Sequence, residues 1–85
     1  MTTVLTLLGK PDCGLCREMR RVVDSVAPAF GVEVIERDVT NDAEAERRYL
    51  FEIPVLFLGE EEIARHRITE EHLRERLELA VGRSF

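Results

Sequence analysis

Both cysteines of this chain stand in one C-x-x-C motif, the segment Cys13-Gly14-Leu15-Cys16. The motif directly follows a short apolar run and directly precedes a pattern of helical periodicity. Two thiols three positions apart at a helix start lie close enough to bond each other, and the free N–H groups and dipole there favour an anion. A thiolate, the species that attacks disulfides, is therefore easier to form at Cys13 than in water. The motif predicts thiol–disulfide chemistry.

The same two cysteines allow two other interpretations. A structural disulfide would close a loop of about four residues, which the loop-entropy model values at only about 2 kcal/mol. A zinc site needs four ligands, and only His66 and His72 could complete the set. Because 49 residues separate Cys16 from His66, the spacing does not match a zinc finger. We therefore rank a dithiol redox pair first and predict no metal site.

Composition and charge indicate one small globular domain over residues 1–85. The net charge of −5 disfavours a nucleic-acid or membrane-surface binder, since either needs a basic face. No apolar run approaches the roughly 20 residues of a transmembrane helix, and the first residues lack the basic region of a signal peptide. The expectation is a cytoplasmic monomer, and in a reducing cytosol two cysteines are more often catalytic or metal-binding than structural.

Hydrophobic periodicity predicts the element order strand, helix, strand, helix, strand, strand, helix. Asp12 is expected to cap the first helix and Thr69 the third, which Gly82 ends. The first βαβ unit should be parallel and right-handed, and Gly59-Glu60 predicts a hairpin between the last two strands. The fully apolar third strand should be central and the charged fourth an edge. The predicted strands cover 4–8, 32–35, 55–58 and 62–67, and the helices about 13–27, 42–50 and 69–82.

These features together resemble the thioredoxin superfamily, and within it the small glutaredoxin-like proteins. The resemblance covers nearly the whole chain. It is carried by Lys10-Pro11-x-Cys13-x-x-Cys16 after the first strand, by Ile53-Pro54-Val55 before the third, and by the element order. It implies an α/β fold of the thioredoxin-like, glutaredoxin-type βαβαββα class, with a four-stranded mixed sheet flanked by three helices. It also implies that Pro54 is cis and lies beside the cysteines.

The resemblance further implies roles for individual residues. Cys13 would be the nucleophile and Cys16 the resolving thiol, while the backbone of Ile53-Pro54 forms a ledge on which substrate lies. Lys10 and Arg17 are placed to lower the pKa of Cys13 by their charge, although Asp12 opposes them and an ordinary solvated lysine is the competing interpretation. The predicted substrate-binding residues are Lys10, Pro11, Gly14, Leu15, Ile53 and Pro54.

The chain departs from the glutaredoxin pattern after the fourth strand. Glutaredoxins usually carry there a diglycine and an acidic residue that hold the γ-glutamyl end of glutathione. This chain instead has Ile63-Ala64-Arg65-His66-Arg67, preceded by three glutamates. Arg65 or Arg67 could still bind a carboxylate. We therefore predict slow, weakly saturable turnover with glutathione, and better reduction of the Cys13–Cys16 disulfide by a thioredoxin-reductase-type flavoenzyme.

The sequence thus predicts a small dithiol oxidoreductase that reduces protein or low-molecular-weight disulfides through Cys13 and Cys16. It needs no bound cofactor besides its own redox-active disulfide. The alternative is a binding or adaptor module that kept the thioredoxin fold with little redox turnover, or that binds metal through the C-x-x-C motif. Thiol titration separates the two, because an intramolecular disulfide and a low thiol pKa favour the enzyme.

Overall fold

A computed structural model describes residues 3–81 of the chain, and in that part it contains four strands and three α-helices. Two short 3₁₀ helices, Ala27–Phe30 and Val39–Asn41, complete the regular structure of these residues. The predicted element order is confirmed. The elements are β1 Val4–Gly9, α1 Gly14–Val26, β2 Glu33–Asp38, α2 Ala43–Tyr49, β3 Val55–Leu58, β4 Glu61–Arg65 and α3 Glu70–Val81.

The four strands form one mixed sheet in the order β2-β1-β3-β4. β1 pairs in parallel with β2, and β3 pairs antiparallel with both β1 and β4. The β3–β4 hairpin turns at Gly59 and Glu60, and Gly59 has the left-handed φ of 62° that suits glycine. As predicted, the apolar β3 is central and the charged β4 lies at an edge. Charged side chains suit an exposed edge, because they resist pairing with other chains.

Successive side chains of the central strands point to opposite faces of the sheet. They form two separate buried clusters, one on each face. Leu7 points into the larger cluster, under α1 and α3, whereas Leu8 points into the smaller one, under α2. The buried stripe of α1 follows the helical period and faces the larger cluster. Each such buried side chain contributes about 1.5–3 kcal/mol of hydrophobic stabilisation. The members of this stripe are Cys16, Met19, Val23 and Val26.

Some element bounds differ from those predicted by periodicity. β2 extends to Asp38, because its ladder with β1 continues until Asp38 lies opposite Gly9, and backbone pairing does not require apolar side chains. In α3 the helical period would place Ala80 on the same face as Leu73 and Leu77, but only these two leucines are buried and Ala80 is exposed. Gly82, the predicted end of α3, lies outside the described residues.

Side-chain caps start the second and third helices. The Thr69 hydroxyl accepts the His72 N–H at 3.0 Å, so the predicted cap of α3 is confirmed. The Asp42 carboxylate accepts the N–H of Glu44 at 3.0 Å at the start of α2. Each cap satisfies a backbone donor that the helix itself leaves without a partner.

The packing of α3 can be tested with two leucines of the same helix. Leu77 is fully buried, whereas Leu79 is 58% exposed. We expect Leu77→Ala to lower the free energy of unfolding by about 2–5 kcal/mol, because it leaves a cavity in the core. Leu79→Ala should change it by no more than about 0.5 kcal/mol. Urea denaturation of both variants is the measurement, and equal losses would contradict the docking of α3.

Candidate active site

The two segments singled out by the sequence lie at the same end of the sheet. The cysteine motif follows β1, and Ile53-Pro54 precedes β3. These strands run antiparallel with Leu8 opposite Val55, so the end of one lies beside the start of the other. The Ile53–Pro54 bond is cis, as the resemblance implied, and Pro54 is buried. Strand pairing therefore brings together two parts of the site that lie about 40 residues apart in sequence.

Cys13 and Cys16 are joined by a disulfide, with their Cα atoms 5.2 Å apart. Cys16 belongs to the buried stripe of α1 and is only 8% exposed, whereas Cys13 is half-buried. An incoming disulfide therefore reaches the sulfur of Cys13 more easily than that of Cys16. This unequal access fits the order of roles that the resemblance implied.

Cys13 itself caps helix α1. Its backbone is extended, and its Sγ accepts the N–H of Cys16 at 3.1 Å. The prediction that Asp12 caps this helix is wrong, because Asp12 adopts a left-handed φ of 63° and turns the chain one residue too early. Asp tolerates this conformation better than most residues. The sulfur of Cys13 thus occupies the position where a backbone N–H and the helix dipole stabilise negative charge.

Gly9, at the end of β1, lies directly against Cys16. A Cβ atom on Gly9 would come within 2.8 Å of Cys16 Sγ and 3.3 Å of Cys16 Cβ. Only a residue without a side chain allows this approach. Sequence reasoning treated Gly9 as the end of a strand and missed this role, since the contact exists only once α1 packs against β1.

The Ile53-Pro54 ledge has a free backbone edge. The Pro54 carbonyl accepts the N–H of His66 at 2.7 Å, but within residues 3–81 the amide and carbonyl of Ile53 make no hydrogen bond. His66 reaches Pro54 through a left-handed φ of 68°. Free N–H and C=O groups next to the disulfide can pair with an extended polypeptide by β-strand addition.

The end of β4, where glutaredoxins usually have a diglycine, is occupied by an ion-pair network. Arg65 donates to both carboxylate oxygens of Glu62, lies 3.4 Å from Glu52, and sits over the Tyr49 ring. The hydrogen bond from Arg65 lowers the pKa of Glu62. Arg65 is therefore engaged inside the protein. The guanidinium of Arg67 is freer and forms one ion pair within residues 3–81, with Glu18 at 4.0 Å.

Two histidines and two aromatic residues complete the surroundings of the site. His66 and His72 are exposed. Tyr49 and Phe57 are partly buried and contact each other edge to face with ring centroids 5.9 Å apart. Phe51, which is 90% exposed just before the ledge, had not been singled out.

A groove of about 540 Å³ opens beside Cys16, between the start of α1 and the end of β2. We call it the Cys16 groove. Lys10 and Pro11, predicted as substrate-binding residues, are exposed and line it, whereas Gly14, Leu15, Ile53 and Pro54 do not. Sequence reasoning missed it because its walls come from three separate segments. Its charged lining consists of Lys10, Arg17, Arg20, Glu36, Arg37 and Asp38.

The charges of Lys10 and Arg17, expected to act on Cys13, have different surroundings. Hydrogen bonds from the hydroxyl and N–H of Thr40, at 2.7 and 2.8 Å, lower the pKa of Asp38, and the charge of Lys10 contributes to that shift. The field of Lys10 is thus partly offset by Asp38. Arg17 is exposed and makes no ion pair within residues 3–81, and its Nη2 lies 3.9 Å from where a Cβ of Gly14 would stand.

Within residues 3–81, no three His, Cys, Asp or Glu side chains form a group that could hold a metal ion. None of the helices in that range is long and apolar enough to cross a membrane.

A comparison with known protein families identifies the family of this chain. A family model for the glutaredoxin-like domain (DUF836) matches residues 4–78. The chain belongs to this glutaredoxin-like family. The resemblance stated from the C-x-x-C motif and the Ile53-Pro54 segment is therefore confirmed, together with the thioredoxin-like fold.

Solved structures show the same fold. A structural-genomics target protein from X. campestris superposes with a TM-score of 0.72 and 25% identity, covering 88% of this chain and 96% of that one. A Nitrosomonas europaea protein gives a TM-score of 0.76 at 19% identity, with 89% and 92% covered. A mutant thioredoxin from Halobacterium salinarum gives a TM-score of 0.64 at 23% identity, with 93% and 74% covered.

The contact between Gly9 and Cys16 can be tested with two glycines. Gly9→Ala should lower the free energy of unfolding by about 1–3 kcal/mol, because the added methyl overpacks against Cys16. Gly14→Ala is the matched control, since its nearest neighbour would be 3.9 Å away, and it should change stability by no more than about 0.5 kcal/mol. Denaturant unfolding of the oxidised proteins measures both effects.

A double-mutant cycle then isolates the sulfur in this contact. Because Cys16→Ala also removes the disulfide, all four proteins of the cycle are compared in the reduced state. In the Cys16→Ala background the Sγ is absent, so Gly9→Ala should lose a substantial part of its cost. An equal cost in both backgrounds would show that Cys16 Sγ is not what Gly9 accommodates.

Proposed function

We propose that this protein is a dithiol thiol–disulfide oxidoreductase that reduces disulfides in protein substrates. One observation carries the proposal: the two thiols of the motif share a helix start, but one caps the helix and is accessible while the other is buried. A half-exposed sulfur that accepts a helix N–H is suited to attack, and a shielded sulfur within bonding distance is suited to resolve.

The reaction is a pair of thiol–disulfide exchanges. The Cys13 thiolate attacks one sulfur of the target disulfide, so that a mixed disulfide forms and the other target sulfur leaves as a thiolate. The Cys16 thiolate then attacks Cys13 Sγ, which releases the second target thiolate and forms the Cys13–Cys16 disulfide. Two electrons pass to the target, whose thiolates take protons from water. A separate two-electron donor must then reduce the protein again.

The surroundings of the pair support this sequence of steps. The free amide and carbonyl of Ile53 give an extended substrate a place to pair beside Cys13. The Cys16 N–H, which donates to Cys13 Sγ at 3.1 Å, stabilises the Cys13 thiolate that makes the first attack. The close contact of Cys16 with Gly9 keeps the resolving sulfur away from outside disulfides.

Single replacements of the two cysteines test the assigned roles. Cys13→Ser should reduce no disulfide above the background rate, because the accessible sulfur is gone. Cys16→Ser should accumulate a mixed disulfide between Cys13 and the target, because nothing resolves it. Mass spectrometry of both variants, after exposure to the same disulfide-bonded protein, detects the adduct.

Two results would count against the roles. An adduct on Cys16 in the Cys13→Ser variant, with none on Cys13 in the other, would reverse the assignment. Wild-type thiols that titrate at about pH 8.5 and react no faster than a free cysteine would favour a binding or adaptor module instead.

The residues at the end of β4 favour one class of electron donor. Glutathione is a tripeptide with two carboxylates and one ammonium, and a glutaredoxin holds it partly through backbone exposed by glycines. Ala64 and Arg65 carry side chains at these positions, and Arg65 is engaged by Glu62 and Glu52. Arg67 is the remaining cation there. The γ-glutamyl end therefore has a poor site, and a reductase of the thioredoxin-reductase type is the better donor.

A coupled assay compares the two donors on the same protein. With glutathione and glutathione reductase we expect a slow rate that rises nearly linearly with glutathione concentration. With a thioredoxin-reductase-type flavoenzyme and its nicotinamide reductant we expect saturation and faster turnover. Saturation by glutathione below about 1 mM with turnover of roughly tens per second, within the ordinary range for enzymes, would contradict this assignment of the donor.

A further inference from the structure

The Cys16 groove concentrates positive charge in a protein whose net charge is −5. Four basic side chains and two carboxylates line it, which leaves an excess of two positive charges. The volume of about 540 Å³ lies within the range of about 300–1,000 Å³ that is typical of ligand sites. It is larger than a single small anion requires, and it has room for more than one side chain.

Ion pairs within the protein decide which of these charges remain available. Arg20 binds both Glu36 and Asp24, and so neutralises one of the two groove carboxylates. The carboxylate of Asp38 accepts two hydrogen bonds from Thr40 and lies near the positive charge of Lys10. Within residues 3–81, Arg17 and Arg37 have no carboxylate within ion-pair distance. Two exposed guanidinium groups are thus left for a partner.

The sheet order places this groove on the opposite side of the disulfide from the substrate ledge. The disulfide follows β1, the ledge precedes β3 on one side, and the groove is walled by the end of β2 on the other. A substrate chain whose cysteine lies over Cys13 and whose one flank pairs with Ile53 therefore has its other flank near the groove.

We propose that the Cys16 groove binds an acidic segment of the substrate polypeptide, on the flank of the target cysteine that points away from the Ile53-Pro54 ledge. This recognition presupposes the disulfide reduction proposed above and adds a substrate class to it. Arg17 and Arg37 are the specificity-determining residues, because guanidinium groups bind carboxylates through paired N–H donors. Complementary charge raises the association rate and selects among partners.

Matched peptide disulfides test the charge preference. The peptides are identical except for two residues on one flank of the cysteine, which are Asp-Asp, Asn-Asn or Lys-Lys, and a second set varies the other flank. We expect kcat/KM to fall in the order Asp, Asn, Lys for one flank only. The Asp peptide should exceed the Lys peptide by about tenfold at low ionic strength, and the ratio should shrink as salt screens the charges.

Variants of three arginines locate the preference. Arg37→Gln and Arg17→Gln should each reduce the Asp-to-Lys ratio by a factor of about 2–5, and Arg37→Glu should bring it close to or below one. Arg21→Gln is the matched control: Arg21 is an exposed arginine of α1 without an ion pair within residues 3–81, and it lies outside the groove. It should keep the wild-type ratio and the wild-type rate.

The neutral Asn peptides separate this inference from the proposed function. If the wild-type protein reduces none of the peptides, the oxidoreductase proposal fails. If it reduces the Asn peptides but shows the same kcat/KM for Asp and Lys on both flanks, reduction stands and the acidic-segment proposal is overturned. A preference that Arg17→Gln and Arg37→Gln leave unchanged also overturns it. The proposal is also overturned if millimolar succinate inhibits the reduction of all three peptides equally. The groove would then bind a small free anion and not the acidic flank of the substrate.

Discussion

The hydrogen bond from the Cys16 N–H to Cys13 Sγ is the interaction on which the arrangement of the site depends. A helix leaves its first N–H groups without partners, and an oxygen from Ser, Thr, Asp or Asn usually accepts from one of them. In this chain the reactive sulfur takes that role. The start of α1, the orientation of Cys13 and the stabilisation of its negative charge therefore have one physical origin. The buried stripe of α1, with Met19 and Val23 at its centre, fixes where that helix start lies.

Strand pairing supplies the second half of the site. β1 and β3 are antiparallel neighbours, so the chain leaves one toward the cysteines and enters the other through Ile53-Pro54 at the same end of the sheet. The turn after β4 uses the Pro54 carbonyl and leaves the amide and carbonyl of Ile53 without partners in the described part of the chain. Burying an unpaired backbone N–H or C=O under a substrate costs free energy. Such an edge therefore favours an extended polypeptide, whose own backbone can pair with these groups.

Charge pairing explains both the departure from the glutaredoxin pattern and the character of the groove. Arg65 stands where a glycine is usual, but Glu62 and Glu52 hold it, so it adds little free charge. On the other side of the disulfide Arg17 and Arg37 have no such carboxylate partner within residues 3–81. The distribution of ion pairs, rather than the net charge of the chain, decides which surface can attract an acidic partner.

The sequence by itself determined the element order, the central position of β3 and the pairing of the two cysteines at the start of α1. These follow from local signals: hydrophobic periodicity, the C-x-x-C spacing, and an apolar-proline-apolar strand start. The tertiary structure alone decided that Cys13 rather than Asp12 caps α1, because a left-handed residue in the preceding turn shifts the helix start. It also decided the contact of Gly9 with Cys16 and the walls of the Cys16 groove. The contact and the groove join residues of different elements, and packing and strand pairing create them without any local pattern.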